Sequence, residues 1–127
     1  MSFTNFLETE ILDHVFAGAA YTAPSTKYLA LFTAIADGEA GSVTELSGNA
    51  YARQTVAFTT SGNTTSNNAA VEFPTATGNW GTVTHVGVYD ASTSGNLMAY
   101  ATLSASKAID TGDVFRVPSG DLDITLN

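Results

Sequence analysis

Hydrophobic positions follow two different periods along this chain, and the change falls near residue 27. Before it, Phe3, Phe6, Leu7, Ile11, Leu12, Val15 and Phe16 recur every three or four residues, which predicts a helix over residues 4–17. Ser2 or Thr4 supplies a capping hydroxyl. Glu8 and Glu10 lie in the early turns, where the helix dipole favours anions. Gly18 offers a left-handed stop. The apolar stripe is broad, so it needs covering, either by the protein's own sheet or by a neighbouring subunit.

After Pro24 the period falls to two, that of strands. Lys27 to Thr33 is rich in aromatic and branched residues. Residues 36–49 read as a loop, with Asp37-Gly38, Gly41 and Ser47-Gly48-Asn49 as turn chemistry. Tyr51 to Phe58 alternates, placing Ala52, Gln54, Val56 and Phe58 on one face. Residues 59–68 contain no apolar side chain and read as an exposed hairpin connection or a mobile loop. Ala69, Val71 and Phe73 form a short strand that Pro74 stops. The clearest hairpin follows. Val83, His85, Gly87 and Tyr89 alternate with Thr84, Val86 and Val88, and Leu97 to Leu103 returns after a turn of small polar residues. Asp110 to Asp113 is a tight turn, and Val114–Val117 and Leu122–Leu126 are two closing strands. Seven or eight short strands, with no helix-length segment between them, predict a mainly β protein. The architecture expected is an antiparallel β-sandwich, jelly-roll or Ig-like, with one short N-terminal helix.

The 127 residues form one domain, 1–127, large enough to bury roughly two-thirds of its unfolded surface. There is no cysteine, which removes a disulfide framework, a thiolate nucleophile and cysteine-based zinc sites together. Twelve acidic residues against four basic ones (Lys27, Arg53, Lys107, Arg116) give a net charge of −8. That field repels phosphate backbones and anionic lipid, so neither nucleic acid nor membrane is an expected partner. The N-terminus lacks the basic region of a signal peptide. Only 13% of residues are charged, about half the usual share. Such a surface is easier to bury against another subunit, because few ions need desolvating.

No arrangement of residues points to catalysis. There is no G-x-S-x-G elbow, no phosphate-binding glycine loop and no calcium-binding run. His14 and His85 lie far apart, one on the helix and one in mid-strand. Asp110 with Asp113, and Asp121 with Asp123, sit where aspartate serves turns, and no carboxylate pair is favoured for acid–base work. No catalytic, cofactor-binding or metal-ligating residue is assigned, and an enzyme is not expected. Gly81 and Gly87 mark a tight turn and a bulge or close backbone approach. Trp80, the single tryptophan, is either an anchor at the core edge or a stacking platform for a ligand.

Several blocks occur in a telling order: Tyr28 to Thr33, Gly48-Asn49-Ala50-Tyr51-Ala52-Arg53-Gln54, Asn68 to Pro74, Asn79 to Asp90, Gly95-Asn96-Leu97, Asp110 to Asp113, and Leu122 to Leu126. Together they resemble a family of small bacteriophage virion structural proteins, labelled variously as tail-fibre, minor tail or head-decoration proteins. Gly48-Asn49-Ala50-Tyr51 carries two extra residues where the family often has Gly-Tyr, so the local turn departs from the pattern. The resemblance implies a non-enzymatic virion component, made in the host bacterial cytoplasm. It also implies self-association, as a homotrimer, and docking on the major capsid protein or on tail proteins. A short chain without repeats or a coiled stem favours a head-decoration (cement) role over a fibre. The alternative is a tail-fibre or minor tail module, for which Trp80, Tyr51 and Tyr89 are the candidates to contact host-surface glycan. The helix, within residues 3–17, or an edge strand is expected to mediate assembly.

Overall fold

The computed structural model describes all residues, 1–127. Its elements run β1 (Ser2–Phe3), α1 (Asn5–Phe16), β2 (Lys27–Asp37), β3 (Ser42–Glu45), β4 (Gln54–Val56) and β5 (Phe58–Ser61). They continue with β6 (Thr64–Asn67), β7 (Val71–Glu72), β8 (Gly81–Tyr89), β9 (Leu97–Ile109), β10 (Arg116–Val117) and β11 (Asp123–Thr125). The main sheet has the order β1-β9-β8-β2-β3, with β4 also on β2; β10-β7 and β11-β6-β5 form two smaller sheets. All pairings are antiparallel. The protein is mainly β and sandwich-like, with one helix.

The alternation in β2 and β8 explains how the core divides. Side chains of successive strand residues point to opposite faces. Leu29, Leu31, Val86 and Val88 enter one large core with Trp80, Phe73, Phe115 and Leu122. Ala30, Phe32 and Tyr89 enter a small second core with Leu97 on the other face. Both faces of β2 are therefore covered, and Leu29 through Phe32 are all fully buried. Gly87 makes this possible: a Cβ there would lie 2.6 Å from Leu97 Cδ1 and from Phe32 Cε2. Its missing side chain leaves the space in which the Phe32 ring sits. This is the close approach expected for Gly87.

Four segments differ from the sequence expectations. Residues 36–49 are not simply a loop, because β2 runs on to Asp37 and returns as β3. Two register shifts bend this ladder, and Ile35 and Val43 pack on the second core. The polar segment 59–68 is likewise a real hairpin, β5–β6, closed by Gly62 (φ 62°) and Asn63. Threonine favours strands even without an apolar face. Thr60 donates to Thr65 at 3.0 Å, and the Thr64 and Thr125 hydroxyls lie 2.9 Å apart. The alternating run 51–58 does not remain one strand. Gln54–Val56 pairs with β2, then the chain leaves at Ala57 and enters the small sheet as β5. Finally, β9 continues to Ile109, beyond the expected end at Leu103. Between the pairs Val83–Lys107 and His85–Thr102 it carries three extra residues relative to β8, and this bulge pushes out the segment near Leu103–Ser106.

The β5–β6 hairpin is tied to the C-terminal strands by one buried side chain, Asn67. Its amide nitrogen donates to the Ala69 and Pro118 carbonyls, both at 2.9 Å. Its amide oxygen accepts from the Leu122 N–H at 2.9 Å. Desolvating this amide is tolerable because donor and acceptor are both engaged.

Candidate functional site

The residues that could have carried chemistry serve the fold. His14 accepts from the Tyr21 N–H at 3.0 Å near the end of α1. His85 lies on β8, 2.7 Å from the Thr84 hydroxyl. The two are not brought together. Asp113 accepts from the Asp110 N–H at 2.9 Å, within the expected tight turn, and Asp123 accepts from the Ser66 hydroxyl. No three potential metal ligands converge. Trp80 is the core-edge anchor of the two readings: it is buried, and its indole N–H donates to the Asn49 carbonyl at 2.8 Å. Tyr51 stacks on Phe73 at 6.1 Å and meets Trp80 edge-on at 5.6 Å. Tyr89 is buried in the second core.

The turn around the two extra residues is left-handed throughout, at Gly48 (φ 75°), Asn49 (φ 52°) and Ala50 (φ 70°). For Ala50 this costs roughly 1–2 kcal/mol. The turn delivers Asn49 to the 77–80 loop, where its carbonyl accepts from Thr77 as well as Trp80 and its amide reaches the Asn79 carbonyl.

Beyond it lies a charged hub that sequence patterning does not foresee. Arg53, its side chain only 7% exposed, forms a two-point pair with Glu45 at 2.8 and 2.9 Å. Its third nitrogen donates to the Ala91 and Ser94 carbonyls, each at 2.8 Å. Its guanidinium lies 3.6 Å above the Tyr89 ring. Glu45 also accepts from the Tyr51 hydroxyl at 2.6 Å, and that hydroxyl accepts from the Leu31 N–H. Burial opposes the charge on Arg53, but the hydrogen bonds and charge of Glu45 outweigh it and leave its pKa raised. Burial and the Glu45 hydrogen bond push the Tyr51 pKa well up. Arg53 thereby clamps the β8–β9 turn to β3. A bidentate arginine held on this many partners is a structural strut.

The feature that looks outward is α1. Thr4 caps it: Oγ1 accepts from the Leu7 N–H and donates to the Leu97 carbonyl at 2.6 Å, while the Thr4 N–H donates to Met98 at 3.0 Å. Phe6 and Leu7 pack on the core from this pinned end. At the other end Gly18 is left-handed (φ 74°), as expected. No residue of the helix itself is buried. At 3.6 residues per turn, Phe6, Leu7 and Ile11 begin an apolar arc that Val15, Leu12 and Phe16 continue round the helix. The apolar stripe is thus broad, and the protein covers only its Phe6–Leu7 part. Leu12, Val15 and Phe16 are 57%, 61% and 81% exposed. Of the two ways to cover the stripe, packing on the protein's own sheet reaches only the first turns.

The family described as Podophage GP4 fiber I protein gp80 matches residues 2–125. No curated protein matches the chain.

Proposed function

This chain belongs to the Podophage GP4 fiber I protein gp80 family, and we propose that it is a non-enzymatic fibre component of the virion that works by assembling with further copies of itself. Membership makes it a phage structural protein. The family description supports a fibre position, and it gives no preference to the head-decoration role suggested by the short, repeat-free sequence. The observation that carries self-assembly is the stripe of Leu12, Val15 and Phe16. A helix of twelve residues is marginal alone in water and draws its stability from packing an apolar face, and here most of one face has no cover. The scarcity of charge supports the same reading, since the rest of such a surface is cheap to desolvate. Trp80 and Tyr89 are buried and Tyr51 is half-buried against Phe73, which favours assembly over sugar stacking as the role of this surface.

Electron cryo-microscopy of purified virions, averaged separately over head and tail, tests this. Density for the chain in a tail-attached fibre is the expected result. Density at three-fold positions of the capsid shell would overturn the fibre position and restore the decoration role.

A further inference from the structure

The main sheet has an uncovered edge. β1 pairs with β9 only at Ala99 and Tyr100, so the outer side of β9 has no neighbouring strand from Ala101 onward. There, where the bulge of β9 pushes Leu103–Ser106 outward, an open cleft of about 580 Å³ reaches the main core. Val86, Leu103, Phe115, Val117 and Leu122 line it, with Lys107 alongside. Proteins cover such edges with a helix or a loop when they do not blunt them with charge. From Ala101 to Ile109 the only charge on this strand is Lys107, and Met1, whose ammonium donates to the Asp123 carbonyl, reaches into the cleft.

Resting on the self-assembly reading above, we infer that the outward stripe of α1 docks in the Lys107 cleft of a second copy of this chain. The chain has a helix stripe without a cover, and the β9 edge beyond β1 has a cleft without a helix. An amphipathic helix in an apolar groove, anchored at i, i+3 and i+4, is a recurrent mode of recognition, and Leu12, Val15 and Phe16 have that spacing. Charge agrees with it. Lys107 is the one cation of the four with no hydrogen bond or ion pair: Arg53 holds Glu45, Arg116 lies 3.9 Å from Glu72, and Lys27 donates to the Pro24 carbonyl. On α1, Glu8 lies one turn before Leu12 on the same stripe, and Asp13 flanks it. Arg116, Asp121 and Asp123 also line the cleft. Arg116 and Asp123 have partners within the chain. Asp121 disfavours an acidic neighbour, so the charge that suits Glu8 in the cleft is Lys107. No residue of the helix lines the cleft of its own chain. Each copy then gives a helix and receives one. Such head-to-tail contacts close into a ring if the rotation permits and otherwise extend as a filament.

Sedimentation velocity on the full chain reads this directly. The wild type is expected to self-associate, and Lys107→Glu to weaken association about tenfold. Adding Glu8→Lys should restore it, which a merely misfolded variant would not do. A photo-crosslinker placed at residue 16 should join residues 103–117 of another copy. A monomeric wild type, association unchanged by Lys107→Glu, or a crosslink mapping elsewhere would each overturn the inference. The virion images decide the fibre position separately: a fibre-located chain that never self-associates leaves the position standing and removes the docking.

Discussion

Two hairpins of this protein are built on opposite principles. β8–β9 carries Val86, Val88, Tyr89, Leu97 and Met98 into two cores, and burial of apolar surface holds it. β5–β6 buries only Asn67 completely. It is held by hydroxyl pairs across the strands and by the three hydrogen bonds of one amide. The first kind of hairpin announces itself in an alternating sequence. The second has no hydrophobic period and depends on partners contributed from residues 118–125. The contrast shows that regular strands require satisfied backbone groups, and that an apolar face is only one way to locate them.

The contrast can be broken at either hairpin. The largest effect is expected from Phe32→Ala, which empties the second core beneath β8–β9 and should destabilise by about 3–5 kcal/mol in urea denaturation. Arg53→Met comes next. It releases the β8–β9 turn and strands a largely buried Glu45, at about 3 kcal/mol; Tyr51 keeps its bond to that carboxylate and softens the loss. Asn67→Ala should cost about 2 kcal/mol, because the Leu122 N–H and two carbonyls lose their partner. Asn67→Asp keeps the volume and the acceptor but removes both donated bonds, so a loss for Asn67→Ala with none for Asn67→Asp would show that volume rather than hydrogen bonding matters there. Thr60→Ala removes one exposed cross-strand pair and should shift the denaturation midpoint by less than about 1 kcal/mol.

The finest distinction is in alkali. The Tyr100 hydroxyl donates to Glu39, and this bond, with some burial, lifts its pKa from 10.0 to about 12. The unfolded chain gives up the proton near pH 10 while the folded one retains it. The stabilisation is therefore complete below pH 10 and is lost as pH rises towards 12. Tyr51 and Tyr89 act in the same direction. Tyr100→Phe should flatten part of this alkaline fall in a series of denaturation midpoints, and a slope identical to wild type would contradict the role of Glu39.

What could be read from the sequence was what local periodicity expresses. The helix lies within one residue at either end of 4–17, β8 begins the hairpin as expected, and Trp80 anchors the core edge. β3 and β5–β6 were hidden because Ser, Thr and Asn carry no periodic signal of burial. The Arg53 hub was hidden for another reason. Its partners Glu45, Tyr89, Ala91 and Ser94 lie 8 to 41 residues away, and no local pattern relates them. The rarity of cations was the available hint: with four in 127 residues, each is worth asking about. The stripe on α1 sits between these cases. Its pattern demanded a cover, and only the three-dimensional arrangement showed that most of it has none within the chain.

The seat of Phe32 over Gly87 has a consequence for descent. Residues 29–32 are all apolar, so a slip of one position along β2 would leave its polarity unchanged and would be resisted by volume alone. The large ring at 32 and the empty position at 87 therefore behave as one inherited unit. In related chains a side chain should appear at position 87 only where positions 32 and 97 have both given way, since a Cβ there meets Leu97 as closely as Phe32.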